Sequence, residues 1–120
     1  METEQLVKTI VTSLDTHKAQ DIRVLAVGEV TSITDYFVIA AGTSTTQVRA
    51  LTDYVDTDLG KQQISPLRVE GYQTAQWTVL DYGTVVVHVF LDSTRQFYDL
   101  ERLWQDAREV ALAQFLEVEE

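Results

Sequence analysis

The sequence predicts an α/β domain in which a mixed five-stranded sheet is flanked by helices. Segments with the apolar spacing of helices alternate with pairs or triplets of strand-like segments, an order that requires helices packed on a sheet. A continuous apolar run over residues 36–41 is typical of a strand covered on both faces. Ser-x-x-Gln motifs at 44–47 and 93–96 each indicate the start of a helix after a predicted strand.

The first half of the chain is predicted to contain two helices and two strands. Apolar residues recur at helical spacing over 4–18, which predicts an amphipathic helix. Residues 21–27 alternate loosely between two faces and predict a strand, and the apolar run over 36–41 predicts the next one. The first Ser-x-x-Gln motif opens a second helix over 44–60.

The second half is predicted to contain three strands and a helix. The strands cover 67–70, 77–80 and 85–91, with a hairpin turn over 81–84. The second Ser-x-x-Gln motif opens the last helix. The predicted apolar face of this helix comprises Phe97, Leu100, Trp104, Ala107 and Ala111.

Length and composition limit the class of protein. A chain of 120 residues fits one domain, predicted over 1–112, with an acidic tail over 113–120. The absence of Cys excludes a disulfide framework, a thiolate zinc site and a cysteine nucleophile. Nine basic residues against 19 acidic ones give a net charge of −10, which disfavours direct nucleic-acid binding and favours a basic protein partner. No apolar run is long enough to span a membrane and the N-terminus is acidic, so we expect a soluble, cytoplasmic protein.

The turn at residues 42–44 is the one candidate for a nucleotide site. It lies between a predicted strand and a helix N-terminus, where free backbone N–H groups can hold a phosphate. A nucleotidyltransferase would also need carboxylates converging on metal ions from adjoining strands. Here the next acids, Asp53 and Asp56, lie within the helix, at least two turns beyond Ser44. Helix capping by Ser44 is therefore the favoured interpretation.

His88 is the second candidate for chemistry. It lies in an apolar strand on the same face as Val86 and Phe90, and Asp81 of the neighbouring strand could pair with it. A general base also needs a nucleophile, and no Ser occupies a nucleophile-elbow motif. We therefore expect a structural or interface histidine rather than a catalytic one.

Aromatic and acidic residues are concentrated between positions 70 and 109. Trp77 and Tyr98 are of the types enriched in protein–protein hot spots, and core and interface roles both stay open for them. Seven acids and three arginines lie in this stretch. Local pairing such as Arg95 with Asp99 accounts for some of these charges, and an acidic aromatic patch that docks on a basic protein is the functional alternative.

A series of motifs appears in order along most of the chain. They are Asp-Tyr-Phe-Val-Ile-Ala at 35–40, Gly-x-Ser at 42–44, Gln-Val-Arg-Ala at 47–50, Glu-Gly at 70–71, Trp77, Leu-Asp-Tyr-Gly at 80–83, Val-Val-His-Val-Phe at 86–90 and Arg-x-Phe-Tyr-Asp-Leu-Glu-Arg-Leu-Trp at 95–104. In these motifs the chain resembles the ribosomal silencing factor family (RsfS, also called Iojap) from about residue 4 to residue 110. The stretch from Trp77 through Trp104 is the most specific part of the match.

The resemblance implies a fold similar to nucleotidyltransferases but without their active site, and hence no catalytic residues, cofactor or metal. It implies binding to the large ribosomal subunit through its ribosomal protein number fourteen, which blocks joining of the small subunit and represses translation. It also implies a homodimer when free and a link to large-subunit maturation. The alternatives are an adaptor for large-subunit biogenesis and a nucleotide-binding enzyme that uses the 42–44 turn.

The resemblance also implies which residues dock. We expect Trp77 and Tyr98 to be apolar anchors and His88 to orient a neighbouring side chain. Acidic side chains at the same surface would pair with basic residues of the partner. The full expected set is Trp77, Asp81, Tyr82, His88, Tyr98, Asp99, Glu101 and Glu70.

Overall fold

A computed structural model describes residues 2–116. They form a mixed α/β fold, which confirms the predicted class. Short 3₁₀ turns at Val27–Glu29 and Leu112–Gln114 complete it. The helices and strands, in chain order, are α1 (Thr3–Thr16), β1 (Gln20–Ala26), β2 (Tyr36–Gly42), α2 (Thr45–Gly60), β3 (Arg68–Glu70), β4 (Trp77–Asp81), β5 (Val85–Leu91), α3 (Asp92–Tyr98), α4 (Leu100–Leu103) and β6 (Arg108–Val110).

The sheet has six strands in the order β3-β4-β5-β2-β1-β6. β2 and β5 run parallel at its centre, and the other neighbours are antiparallel. The predicted count of five was wrong because the last predicted helix ends early. Residues 108–110 instead pair with β1, where Val24 lies opposite Val110. This edge strand has only three residues, which is too few for an alternating pattern to appear in the sequence.

Helices α1 and α2 cover one face of the sheet. The apolar stripe of α1, which includes Val7, Ile10 and Leu14, is fully buried there, as the helical spacing predicted. In α2 the Ser44 hydroxyl accepts a hydrogen bond from the Gln47 backbone N–H at 3.1 Å, so the predicted N-cap is confirmed.

The segment α3–α4 lies on the opposite face and differs from the single helix predicted. Asp92 begins α3 directly after β5. The N-cap residue is therefore Leu91, whose side chain makes no capping hydrogen bond, and the Ser93 backbone N–H donates to Asp92 Oδ1 at 2.8 Å, so the predicted capping box led by Ser93 does not form. Asp99 takes a left-handed conformation (φ 48°) between α3 and α4 and breaks the helix. The break turns Phe97 outward, where it is 82% exposed, whereas Leu100 is buried.

Residues that follow position 112, the predicted boundary of the domain, also pack against the core. Phe115 is buried against the core under α1 and α2, and Leu116 packs beside it. The rest of the predicted acidic tail, residues 117–120, lies outside the described residues. Among residues 2–116, no helix combines the length and apolar character that crossing a membrane requires.

Candidate protein-interaction surface

Sheet register places four of the expected docking residues on one face. Glu70 lies opposite Val79, which lies opposite His88, and residues opposite each other in a ladder share a face. Trp77 lies two residues before Val79 in β4, and therefore on the same side as well. Asp81 lies two residues after Val79 in β4, and therefore on the same face. This face is opposite to the one covered by α1 and α2.

Trp77 is the centre of an aromatic cluster on this face. Its indole is half-buried and stacks on the fully buried ring of Phe90, with centroids 4.8 Å apart. The ring of Tyr98, at the end of α3, has its centroid 5.2 Å from that of the indole and is 52% exposed. Phe97 packs edge-on against Tyr98 at 5.2 Å. We call Trp77, His88, Phe90, Phe97 and Tyr98 the aromatic platform.

His88 holds the Trp77 indole in place through a hydrogen bond. The Trp77 Nε1–H donates a hydrogen bond to His88 Nδ1 at 3.1 Å. Because Nδ1 accepts, the ring proton of neutral His88 is assigned to Nε2, which has no partner among residues 2–116. Burial lowers the pKa of His88 to about 4, which keeps the ring neutral at physiological pH. His88 therefore positions Trp77. The predicted alternative partner, Asp81, lies opposite Val86 and not opposite His88.

Asp81 and Glu70 are already engaged within the chain. Asp81 accepts a hydrogen bond from the Gly83 backbone N–H at 2.8 Å and lies 3.5 Å from the Arg68 guanidinium. Arg68 also approaches Glu70 at 3.8 Å. Asp81 therefore holds the β4–β5 turn, and Arg68 partly neutralises the acidic charge of this edge.

Tyr82 does not belong to this face. Its ring packs against the core beneath α1 and α2, on the other side of the sheet from Trp77. Burial, with the charge of Asp56 of α2 as a second cause, raises the pKa of the Tyr82 phenol. Its hydroxyl is buried, with no hydrogen-bond partner in the described part of the chain. The structure thus separates Tyr82 from the residues with which it was grouped.

Glu101 forms an internal ion pair. Its Oε2 accepts hydrogen bonds from Arg95 Nε at 3.3 Å and Nη2 at 3.2 Å, and Arg95 is only 7% exposed. Arg23 of β1 lies 3.9 Å from the same oxygen. This pair connects α3 to α4 across the break at Asp99, so Glu101 stabilises the segment that carries Tyr98.

Asp99, by contrast, is exposed and borders an acidic cavity of about 500 Å³. The cavity lies beside the end of β2, where Ala41 forms part of its wall. Asp21, Asp92 and Glu101 contribute further carboxylates, and Arg95 contributes a guanidinium that is paired with Glu101. Such a cavity favours a positively charged side chain of a partner.

The sequence analysis did not predict two exposed apolar residues of this surface, Phe97 within the platform and Leu103 beside it. Phe97 was assigned to a buried helix face, and Leu103, 75% exposed, was not assigned at all. Both line a cleft beside Tyr98. A regular helix places Phe97 and Trp104 on one buried face, and only the break at Asp99 separates them. The sequence gives no local signal for this break.

The 42–44 turn is occupied by the chain's own side chains. The Gln47 amide oxygen accepts a hydrogen bond from the Thr43 backbone N–H at 2.7 Å, and Ser44 caps α2. Within residues 2–116, no three His, Asp or Glu side chains converge as a metal site requires. The turn thus acts as a helix start.

Comparison with known proteins identifies the family. The model of a family described as "ribosomal silencing factor during starvation" (RsfS) matches residues 1–120. The chain belongs to the RsfS family. It is 38% identical over 112 residues to the ribosomal silencing factor RsfS of Halalkalibacterium halodurans, covering 93% of this chain and 96% of that protein.

Other members extend the comparison to structure and to organelles. A crystal structure of a Chromobacterium violaceum protein has a TM-score of 0.85 and 34% identity, covering 88% of each chain. A mouse protein named mitochondrial assembly of ribosomal large subunit protein 1 is 36% identical, over 79% of this chain and 43% of that protein. The names of these relatives describe regulation and assembly of ribosomes and indicate no catalytic activity.

Proposed function

We propose that this protein is a ribosomal silencing factor that binds the large ribosomal subunit through its ribosomal protein number fourteen. Binding there blocks joining of the small subunit and represses translation. The observation that carries the proposal is the aromatic platform, in which an internal hydrogen bond from Trp77 to His88 fixes an indole at the surface. Family membership supplies the ribosome as the target.

The platform has the properties of a docking site for protein. Aromatic side chains held in one orientation lose little entropy on binding and bury a large apolar area. Trp77 and Tyr98 are the proposed anchors, with Phe97 extending the apolar surface beside them. His88 acts through Trp77 and not by touching the partner, because it is buried.

Charge complements the platform. The protein carries a net charge of −10, which attracts a basic ribosomal protein and repels ribosomal RNA. Asp99 and the acidic cavity beside it would receive a Lys or Arg side chain of the partner. Glu70 and Asp81 contribute at the rim, where Arg68 weakens their effect. Tyr82 is not part of the proposed contact, and Glu101, which also lines this cavity, acts through its ion pair with Arg95.

Co-sedimentation with isolated large subunits tests the proposal, using Trp77→Ala and Tyr98→Ala. Each truncation is expected to cost about 2 kcal/mol of binding free energy, or roughly thirtyfold in affinity. Tyr54→Ala is the matched control, since Tyr54 is a 43% exposed aromatic on α2, on the other side of the sheet. Folded variants of Trp77 and Tyr98 that bind like the Tyr54 control would refute the docking surface.

A role as an adaptor in large-subunit assembly is the second candidate. It is favoured by the mouse relative whose name describes assembly of the mitochondrial large subunit. The same surface would serve both roles, so the test is timing. An assembly factor binds precursor particles and its loss makes them accumulate, whereas a silencing factor binds mature subunits.

We further propose that the protein acts in the cytoplasm and forms a homodimer when free. Analytical ultracentrifugation over a concentration series tests the dimer, since a monomer at all concentrations would contradict it. Cell fractionation tests the location.

The likeness of the fold to nucleotidyltransferases stays a prediction. A nucleotide-induced rise in melting temperature would support the enzymatic alternative.

A further inference from the structure

We propose that Arg49 and Asp53 of α2 are positioning residues that hold the 71–76 loop and thereby set the orientation of Trp77. The inference rests on the proposed function, because it assigns docking to Trp77. It concerns residues that lie behind the docking surface, on the helix-covered side of the sheet. We call Arg49, Asp53 and their partners Tyr72 and Gln73 the Arg49 clamp.

The clamp holds the loop by both backbone and side chain. Arg49 donates from Nε to the Tyr72 carbonyl at 3.2 Å and from Nη2 to the Gln73 carbonyl. The Tyr72 hydroxyl donates to Asp53 Oδ2 at 2.9 Å. Arg49 and Asp53 are four residues apart and therefore lie on the same side of α2. Two adjacent carbonyls and one side chain of the loop are thus fixed to one helix turn.

The loop has little freedom between the clamp and Trp77. Gly71 has a φ of +76°, and a Cβ at this position would collide with the Trp77 carbonyl oxygen. Ala75 is fully buried and donates its N–H to the Gly71 carbonyl at 3.0 Å. The Gln76 carbonyl accepts from the Leu91 N–H at 2.9 Å. A displacement at the clamp is therefore transmitted to Trp77 through a tightly folded segment.

A second link from α2 fixes the residue after Trp77. The hydroxyls of Thr52 and Thr78 form a buried hydrogen bond of 2.7 Å between α2 and β4. Trp77 thus lies between two attachments to the same helix, the Arg49 clamp before it and Thr78 after it. Its side chain points to the opposite face, so α2 determines the backbone from which the indole extends towards His88.

The experiment compares Arg49→Ala, Arg49→Lys and Tyr72→Phe by two readouts. The first is the ¹H–¹⁵N signal of the Trp77 indole, which reports its hydrogen bond to His88, with the Trp104 indole as an internal reference. The second is affinity for isolated large subunits. Arg108→Ala is the control, because Arg108 lies on β6, at the far edge of the sheet from β3 and β4.

We expect Arg49→Ala to shift or broaden the Trp77 signal, leave the Trp104 signal in place and weaken binding about tenfold, because pre-organisation is lost. Arg49→Lys should restore part of both, since Lys retains a donor. Tyr72→Phe removes only the hydrogen bond to Asp53. It should change the Trp77 signal and the affinity in the same direction as Arg49→Ala but by a smaller amount. This variant keeps the test possible should Arg49→Ala not fold.

An unchanged Trp77 signal in folded Arg49→Ala, or in Tyr72→Phe should Arg49→Ala not fold, would overturn the inference. So would a shifted signal with unchanged binding, provided that Trp77→Ala loses binding. Retention of binding by Trp77→Ala would instead contradict the proposed function. The indole signal would then still decide whether the clamp sets the orientation of Trp77.

Discussion

The indole N–H of Trp77 on β4 donates to the imidazole Nδ1 of His88 on β5 at 3.1 Å. The two residues are diagonal neighbours in the ladder, since Trp77 lies opposite Phe90. The bond requires an unprotonated Nδ1, and burial maintains this by lowering the pKa of His88 to about 4. Trp77 is therefore held in place by a neutral histidine.

Acid should weaken the fold through His88. Its folded-state pKa of about 4 is below the ordinary 6.5, so the unfolded chain binds more protons in this interval. The free energy of unfolding should fall as the pH drops from about 6.5 to 4, by on the order of 3 kcal/mol. Urea unfolding at several pH values tests this, because the His88→Gln variant should lack the contribution of the imidazole. If the free energy of unfolding depends on pH equally in both proteins, His88 is not the group responsible.

Gly71→Ala should destabilise the protein by roughly 2 kcal/mol or more. The positive φ disfavours a side chain, and the new Cβ would collide with the Trp77 carbonyl oxygen. Gly60→Ala is the matched control, because Gly60 ends α2 with open space around the position of a Cβ. Urea unfolding should show a large loss for the first variant and none for the second. Equal stabilities would disprove the close approach.

Glu101→Ala should lower the free energy of unfolding. It leaves the buried Arg95 guanidinium without its carboxylate partner, which costs about 3 kcal/mol. The double variant Arg95→Met/Glu101→Leu should recover most of this loss, because no buried charge remains unpaired. Thermal or urea unfolding measures both. A fully stable Glu101→Ala that loses only partner binding would restore Glu101 to the docking surface.

Phe97→Ala should weaken partner binding several-fold while leaving stability within about 0.5 kcal/mol of the parent, because the ring is exposed. Ile33→Ala is the control. Ile33 is 76% exposed and precedes β2, at the opposite end of the strand pair from Phe90. Binding measured by co-sedimentation should fall for Phe97→Ala alone. If Phe97→Ala lowers the stability and leaves binding unchanged, Phe97 has a structural role and not a docking role.

Local patterns predicted the elements that depend on local chemistry. Ser44 caps α2 as expected, because its partner Gln47 is three residues away. The same motif at Ser93 failed because β5 runs directly into α3 at Asp92, before a cap can form. The break at Asp99 replaced the expected Arg95–Asp99 pair by Arg95–Glu101, a contact that only the kinked backbone allows.

The docking residues were predictable to different degrees. Strand alternation places Trp77, Val79 and Asp81 on one side and hence Tyr82 on the other, so the sequence held the signal that separates Tyr82. The neutral His88 acceptor could not be inferred, because it depends on the β4–β5 register. The Arg49 clamp joins residues 19 to 24 positions apart and leaves no local pattern.

Silencing by blocked subunit joining can be measured in a subunit-joining assay. Large subunits are incubated with the protein, small subunits are added, and the mixture is separated on a sucrose gradient. We expect the protein to co-sediment with the large subunit and to reduce the peak of joined ribosomes, whereas the Trp77→Ala variant should leave that peak at its full height. An undiminished peak at saturating protein would contradict silencing by blocked joining.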